Sequence, residues 1–149
     1  MHISAFVKET FRSGTIASLL MMPFGLLLQH FDLRVGHYGP QLAALLFEHP
    51  TLPIRFVQHL VIGWLSTVPL LFILLRLHRY ASAITIGAIY GVAYYVLINS
   101  LALPLYFGDT MPWQLGFSYI YPSLIIHLVF GASIGFTARK FIARETAKA

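Results

Sequence analysis

Histidine is the residue type in this chain with the most chemistry to offer. Seven histidines stand among 149 residues, beside 10 Lys and Arg, 5 Asp and Glu and no cysteine. Two of them open the same pattern, H-L-V-x-G: His59-Leu60-Val61-Ile62-Gly63 and His127-Leu128-Val129-Phe130-Gly131. An imidazole ordinarily titrates at about 6.5, so a repeated histidine can carry a proton-linked function. It can also ligate a metal, or supply one half of a paired axial ligation of haem b. The plainer role is a hydrogen bond to a neighbouring helix or a lipid headgroup. Gln58 and Asn99 are the neutral polar groups that accompany these histidines in apolar surroundings. His59, His127, Asn99 and Gln58 are therefore the candidate ligand-binding or proton-linked residues. His37, His49, His59, His127 and Asp109 are the candidate metal ligands. No residue set demands a cofactor. Catalysis has little support: G-x-S-x-G, H-E-x-x-H and a phosphate-binding glycine loop are all absent, and no catalytic residue is assigned. An Asp109–His127 dyad requires the preceding loop to fold back onto the last span.

The elements that position these groups follow from composition. Hydrophobic residues make up 58% of the chain and charged residues 10%, too few charges to cover a soluble domain. Uncharged runs cover 13–31, 56–75, 80–108 and 110–138, each reaching the ~20 residues that cross a bilayer core. None alternates strictly, which argues against barrel strands. The expected fold is all-α: a polytopic membrane protein built as a four-transmembrane-helix bundle, one domain over 1–149, with spans near 13–30, 56–75, 82–104 and 119–138. A shorter apolar stretch, 38–49, reads as an interfacial segment, with Pro40 in the first turn of a short helix ending near Glu48 and His49. Residues 2–11 place Ile3, Phe6, Val7 and Phe11 on one stripe, the pattern of a short amphipathic helix. No small-x-small cleavage site follows the first span, so it reads as retained. Pro23 and Pro69 are expected to kink spans one and two.

The +5 formal charge sorts by position. Lys8, Arg12, Arg76, Arg79, Arg139, Lys140, Arg144 and Lys148 fall on one side of an even number of spans, and the other side keeps only Arg34 and Arg55, with Asp32, Glu48 and Asp109. The positive-inside rule then puts both termini in the cytoplasm. The basic balance is an orientation signal and not a nucleic-acid footprint. None of the fifteen formal charges is placed deep in a span, whereas His30, His37, His49, His59 and His127 lie on or toward the outer side.

Self-similarity extends beyond the histidines. Both H-L-V-x-G segments follow a proline, Pro53 and Pro122, and the preceding spans echo one another as Gly14-Thr15-Ile16-Ala17-Ser18 and Gly87-Ala88-Ile89-Tyr90-Gly91. Two like-oriented helical hairpins are the expected arrangement. Gly63, Gly87, Gly91, Gly131 and Gly135 fall at small-xxx-small or motif spacing and read as helix-packing positions. The aromatic loop 106–121, with Gly108, Pro112 and Gly116, reads as an interfacial belt or as a lid over a cavity.

The H-L-V-x-G pattern, the Asn99-to-Pro104 exit of the third span and the Pro/aromatic loop before His127 resemble the YagU family of small bacterial inner-membrane proteins. The likeness covers roughly residues 59–139. It implies a bacterial inner-membrane location, a family without an established biochemical activity and an association with acid response. The leading expectation is a non-enzymatic membrane protein with a polar outer-half cavity formed by His59, Asn99 and His127, serving proton-linked sensing or the binding or transport of a small solute. The alternatives are a structural or accessory subunit, packing on itself as a homo-oligomer or on a larger membrane complex, and a metal- or haem-binding protein. The lipid bilayer is the one partner implied throughout.

Overall fold

The structure, a computed structural model, describes residues 2–148. Its elements are α1 (Ile3–His30), α2 (Tyr38–Ala44), α3 (Leu52–Leu77) and α4 (Ala83–Tyr94), the last continuing through a π-helical segment, Tyr95–Ala102, into α5 (Leu103–Phe107). Then come α6 (Pro112–Leu115), a 3-10 turn (Phe117–Tyr119) and α7 (Tyr121–Thr146). No strand occurs among the described residues. Four stretches are long and apolar enough to cross a membrane: Ile3–His30, Leu52–Leu77, Ala83–Phe107 and Phe117–Thr146.

Their polarity is turned inside out. On α1 the buried positions are Phe6, Glu9, Thr10, Ser13, Gly14, Ala17 and Ser18, while Leu19, Leu20, Leu26 and Leu27 face outward. Water would reject that surface; a hydrocarbon solvent accepts it and leaves small residues for helix contacts. The chain is a multi-pass membrane protein.

The helices are longer than the expected spans. The stretch 3–12 and the span 13–30 form one helix, so the stripe of Ile3, Val7 and Phe11 is exposed and only Phe6 of that set is buried. This buries Glu9, at 4% exposure, in the second turn of a membrane-length helix, near its start and not deep within the span. Its carboxylate accepts from Ser13 Oγ at 2.6 Å and from Arg12 Nη1 at 3.0 Å. Replacing Glu9 with alanine strands these donors and is expected to cost about 1–3 kcal/mol, read as a lowered melting temperature in detergent. Gln at the same position retains acceptors and should recover part of the loss.

The helices run unbroken through Pro23 and Pro69. Pro53 and Pro122 sit in the first turns of α3 and α7, where a missing N–H is harmless. α2 has Pro40 in its first turn and ends at Ala44, short of the expected Glu48–His49 boundary. Ser82 starts α4, its hydroxyl accepting from Thr85 N at 3.1 Å. Gly108, at φ 71°, closes α5 in the left-handed conformation that glycine adopts without strain.

The bundle has two unlike halves. Near the end that carries Arg76, Arg79 and Arg139, Phe6, Leu70, Leu71, Leu74, Ile134, Ala138 and Phe141 pack into a continuous apolar core. Here Phe6 meets Phe72 at 4.7 Å and Phe141 at 6.4 Å between ring centroids. The other half, beneath the loops 31–51 and 108–120, surrounds open space, and helix seams run along the bundle. α4 and α7 touch backbone to backbone: a Cβ on Gly87 would strike the Gly131 carbonyl, one on Gly131 the Gly87 carbonyl, one on Gly91 the His127 carbonyl and one on Gly135 the Ala83 carbonyl. α1 and α3 meet less closely, with Ser18 Oγ and the Gly14 backbone against Gly63. The Trp64 indole N–H donates to Thr15 Oγ1 at 2.9 Å across the same seam.

Candidate functional site

A cavity of about 380 Å³ occupies the loop-side half. All four long helices contribute to its wall, with Ser18 and Gln29 from α1, His59 and Ser66 from α3, Asn99 from the π-helical segment and His127 from α7. His59, Asn99 and His127, expected to face a common interior, all line it. Thr110, Pro112, Leu115 and Tyr119 also line it, so the aromatic loop covers the cavity, while its Trp113 and Phe117 point outward.

His127 is the best-defined group. The Gly91–His127 backbone contact presses this turn of α7 onto α4, and the next turn of that helix supplies the ring's neighbours. Tyr94 stacks on the imidazole at 5.8 Å and Tyr95 lies at 5.7 Å. Nδ1 lies 2.6 Å from Ser123 O, a carbonyl, so Nδ1 carries a proton and donates. Nε2 lies 2.5 Å from Asn99 Nδ2, which donates to it. This arrangement is a neutral imidazole with both nitrogens engaged. Asn99 reaches it from the π-helical segment, whose wider turn ends ahead of Pro104; that proline offers no N–H to the preceding helix.

His59 donates from Nε2 to Ser18 O at 3.0 Å, joining α3 to α1 and leaving Nδ1 without that bond. Gln58 goes elsewhere. Its amide donates to Gly39 O at 3.1 Å, fastening α2 to α3, and it does not line the cavity.

The mouth carries a second polar cluster that sequence spacing did not reveal. His37 Nε2 has three neighbours: Arg34 Nη2 at 2.6 Å, Gln41 Nε2 at 3.1 Å and Asp109 Oδ2 at 3.2 Å. One ring nitrogen cannot accept from a guanidinium and donate to a carboxylate at once. Neutral His37 accepts from Arg34; protonated His37 donates to Asp109 and releases Arg34. Tyr38 stacks on Phe107 at 5.9 Å, and Arg34 lies over the Tyr119 ring at 5.3 Å, so both loops meet over the opening. Burial, and then the neighbouring Asp109 carboxylate, hold the Tyr38 hydroxyl above its ordinary pKa. It stays protonated.

The metal candidates do not converge. His37 pairs with Asp109, His59 and His127 share the cavity, and His49 is exposed and outside its lining. No three His, Asp or Glu residues group as a metal-binding set among the described residues. A metal or haem iron at His127 Nε2 would have to displace Asn99. Asp109 is engaged by His37, so the Asp109–His127 dyad does not form in this arrangement.

Two cavity-lining hydroxyls lack a protein partner: Ser18 Oγ, at 0% residue exposure, and Tyr95 Oη, at 3%. Buried polar atoms are nearly always hydrogen-bonded, so orphans in a cavity wall mark where a polar occupant makes contact. Tyr94, Tyr95, Arg34 and Ser18 escaped the sequence reading. Ser18 had a signal, as the counterpart of Gly91 in the helix echo.

No family model, curated protein or solved structure matches this chain.

Proposed function

We propose that this chain is a bacterial inner-membrane protein that binds a small solute in its loop-side cavity, with histidine protonation linked to binding. The observation that carries the reading is the cavity itself, lined by His59, Asn99 and His127, roofed by two loops and backed by an apolar core. Its volume lies in the range of small-molecule sites, roughly 300–1,000 Å³. Both termini are assigned to the cytoplasm from the distribution of Lys and Arg, which makes the cavity open to the periplasm. The resemblance of residues 59–139 to the YagU family adds an acid-linked setting, in keeping with imidazoles as the titrating groups.

We also read the bundle as a duplicated hairpin. Gly63 packs on Gly14 and Ser18 much as Gly131 packs on Gly87 and Gly91, and each glycine follows its histidine by one turn. The two copies have diverged in role: His59 ties helices together, and His127 faces Asn99.

The absence of native cysteine makes a direct test simple. Ser66→Cys places a sole thiol in the cavity wall. A small, membrane-impermeant thiol reagent added to the periplasmic face should label it, and reagent confined to the opposite face should not. The reading fails if Ser66→Cys stays unlabelled from the periplasmic face while exposed Trp113→Cys reacts there.

A further inference from the structure

The one formally charged side chain in the cavity lining is cationic, and the titratable imidazoles there can only add positive charge. Arg34, His37, His59 and His127 line it, and no Asp or Glu does so among the described residues; Asp109 stands behind His37 at the mouth. Gln29, Ser66, Asn99, Thr110 and Ser123 add neutral polar groups, and the rest of the wall is largely apolar and aromatic, with Met21, Met22, Tyr94, Tyr95 and Phe130. Ser18 Oγ and Tyr95 Oη are buried there without a hydrogen-bond partner, each with an O–H free to donate to a guest. A cation would meet the Arg34 guanidinium and no lining carboxylate, and a purely apolar guest would leave both hydroxyls stranded. The complementary guest is an anion with hydrogen-bond acceptors on a compact apolar body.

Burying such an anion at membrane depth is costly unless a positive charge comes with it. The Asn99–His127 pair supplies one. An amide has a donor end and an acceptor end of similar shape. With Nδ2 toward Nε2, Asn99 matches neutral His127. When Nε2 takes a proton from water at the mouth, the amide can turn by half a rotation so that Oδ1 accepts it. Nδ2 then points away from His127 and is free to donate to the guest. Protonation thus adds a positive charge and a donor at one place. The charged and titratable groups that share the cavity with His127 are His59 from α3, Tyr94 and Tyr95 from the α4 side, Arg34 and His37 from the segment after α1, Tyr38 from α2 and Tyr119 from the loop before α7; α1 contributes the neutral Ser18 and Gln29.

We propose that the cavity takes a small carboxylate with an apolar or aromatic body, bound together with one proton on His127 through reversal of the Asn99 amide. This rests on the solute-binding reading above and names its ligand class. The complex holds one more proton than the separate partners, so affinity rises as pH falls, by about tenfold per pH unit where His127 is neutral in the free protein.

The test is calorimetry on the full chain in a non-ionic detergent at about pH 6 and about pH 8, the range in which a histidine charge can change. Probes are benzoate, its neutral isostere benzamide, and benzylammonium. Benzoate should bind, more tightly at the lower pH, with one proton taken up per molecule as read from buffers of different ionisation enthalpy. Benzamide and benzylammonium should bind at least about tenfold more weakly. Decanoate separates two sources of the same carboxylate: equal competition assigns it to a fatty acid drawn from the bilayer, and preference for benzoate to a soluble acid. Asn99→Leu should abolish the proton uptake. Asn99→Asp, which keeps the side-chain size and presents a permanent acceptor to His127, should abolish both the uptake and benzoate binding. Equal binding of benzamide or benzylammonium, or benzoate binding without proton uptake, overturns the proposal. So does a failure of every probe, in which case labelling of Ser66→Cys shows whether the solute cavity itself survives.

Discussion

Gly131→Leu should prevent the loop-side half of the bundle from assembling. The clash it creates is with backbone: a Cβ at Gly131 already falls on the Gly87 carbonyl and close to Gly91 N, and the larger side chain has no rotamer that avoids α4. Overpacking a core with movable side chains costs roughly 1–3 kcal/mol. Here two helices must separate along a seam that also includes Gly91 and Gly135, so the loss should be about 3 kcal/mol or more. A drop of that size removes a large part of the ~5–15 kcal/mol that typically separates folded from unfolded protein. Thermal melts in detergent and the level of protein recovered from membranes both read it. Gly25→Ala is the matched control. Its Cβ would meet only Ile126 Cδ1, at an ordinary 3.7 Å, and alanine suits a helix interior better than glycine by roughly 0.5–1 kcal/mol. If Gly131→Leu melts with wild type, the direct backbone contact of α4 and α7 is wrong.

The second large effect is expected from the paired change His59→Ala and His127→Ala. It removes the bond from His59 to Ser18 O, the bonds from His127 to Ser123 O and Asn99, and the ring held between Tyr94 and Tyr95. The folded bundle should persist, because the apolar core lies elsewhere and the close seam contacts at these turns are made by backbone, glycine and serine atoms that the substitutions leave in place. Proton-linked solute binding should vanish: no proton uptake on benzoate addition, and no rise in affinity toward acid pH. His127→Ala alone should carry most of this loss, since His127 faces Asn99 while His59 is occupied in joining α3 to α1. His59→Ala alone should lower stability by about 1 kcal/mol through its lost hydrogen bond and leave the pH slope in place. A double variant that keeps the wild-type slope would move the proton-binding group away from both histidines.

The four long helices were legible because their signal is local: uncharged length, with Pro53 and Pro122 at two of the helix starts. The shared cavity of His59, Asn99 and His127 was legible through the repeated motif, which singles out the two histidines, and through Asn99 as a polar residue in the outer half of the third span. The remainder depends on rotation and on distant pairing. Gln58 adjoins His59 in sequence yet turns to Gly39, because neighbouring residues on a helix point about 100° apart. His37 and Asp109 lie 72 positions apart, and no local pattern links them. The π-helical turn that presents Asn99 shifts residues off ordinary helical spacing, so counting by 3.6 misplaces every later position on that helix. Glu9 escaped because a carboxylate in the first turns of a long helix looks like part of a solvated approach; its burial is a property of the neighbours that close over it.

The outward leucines of α1 carry a consequence for how this architecture can drift. Leu19, Leu20, Leu26 and Leu27 meet a fluid solvent that asks only for apolar bulk, so Ile, Val, Met or Phe would serve there nearly as well. Gly87, Gly91, Gly131 and Gly135 meet other backbones and have almost no substitutes, and Gly14 and Gly63 leave room for the side chains of Trp64, Thr67 and Ser18. The large residues that dominate the chain by mass therefore hold little information about its shape. That information is stored in the smallest residues and their intervals, and two such sequences could share few letters while keeping the same spacing of glycine, serine and histidine.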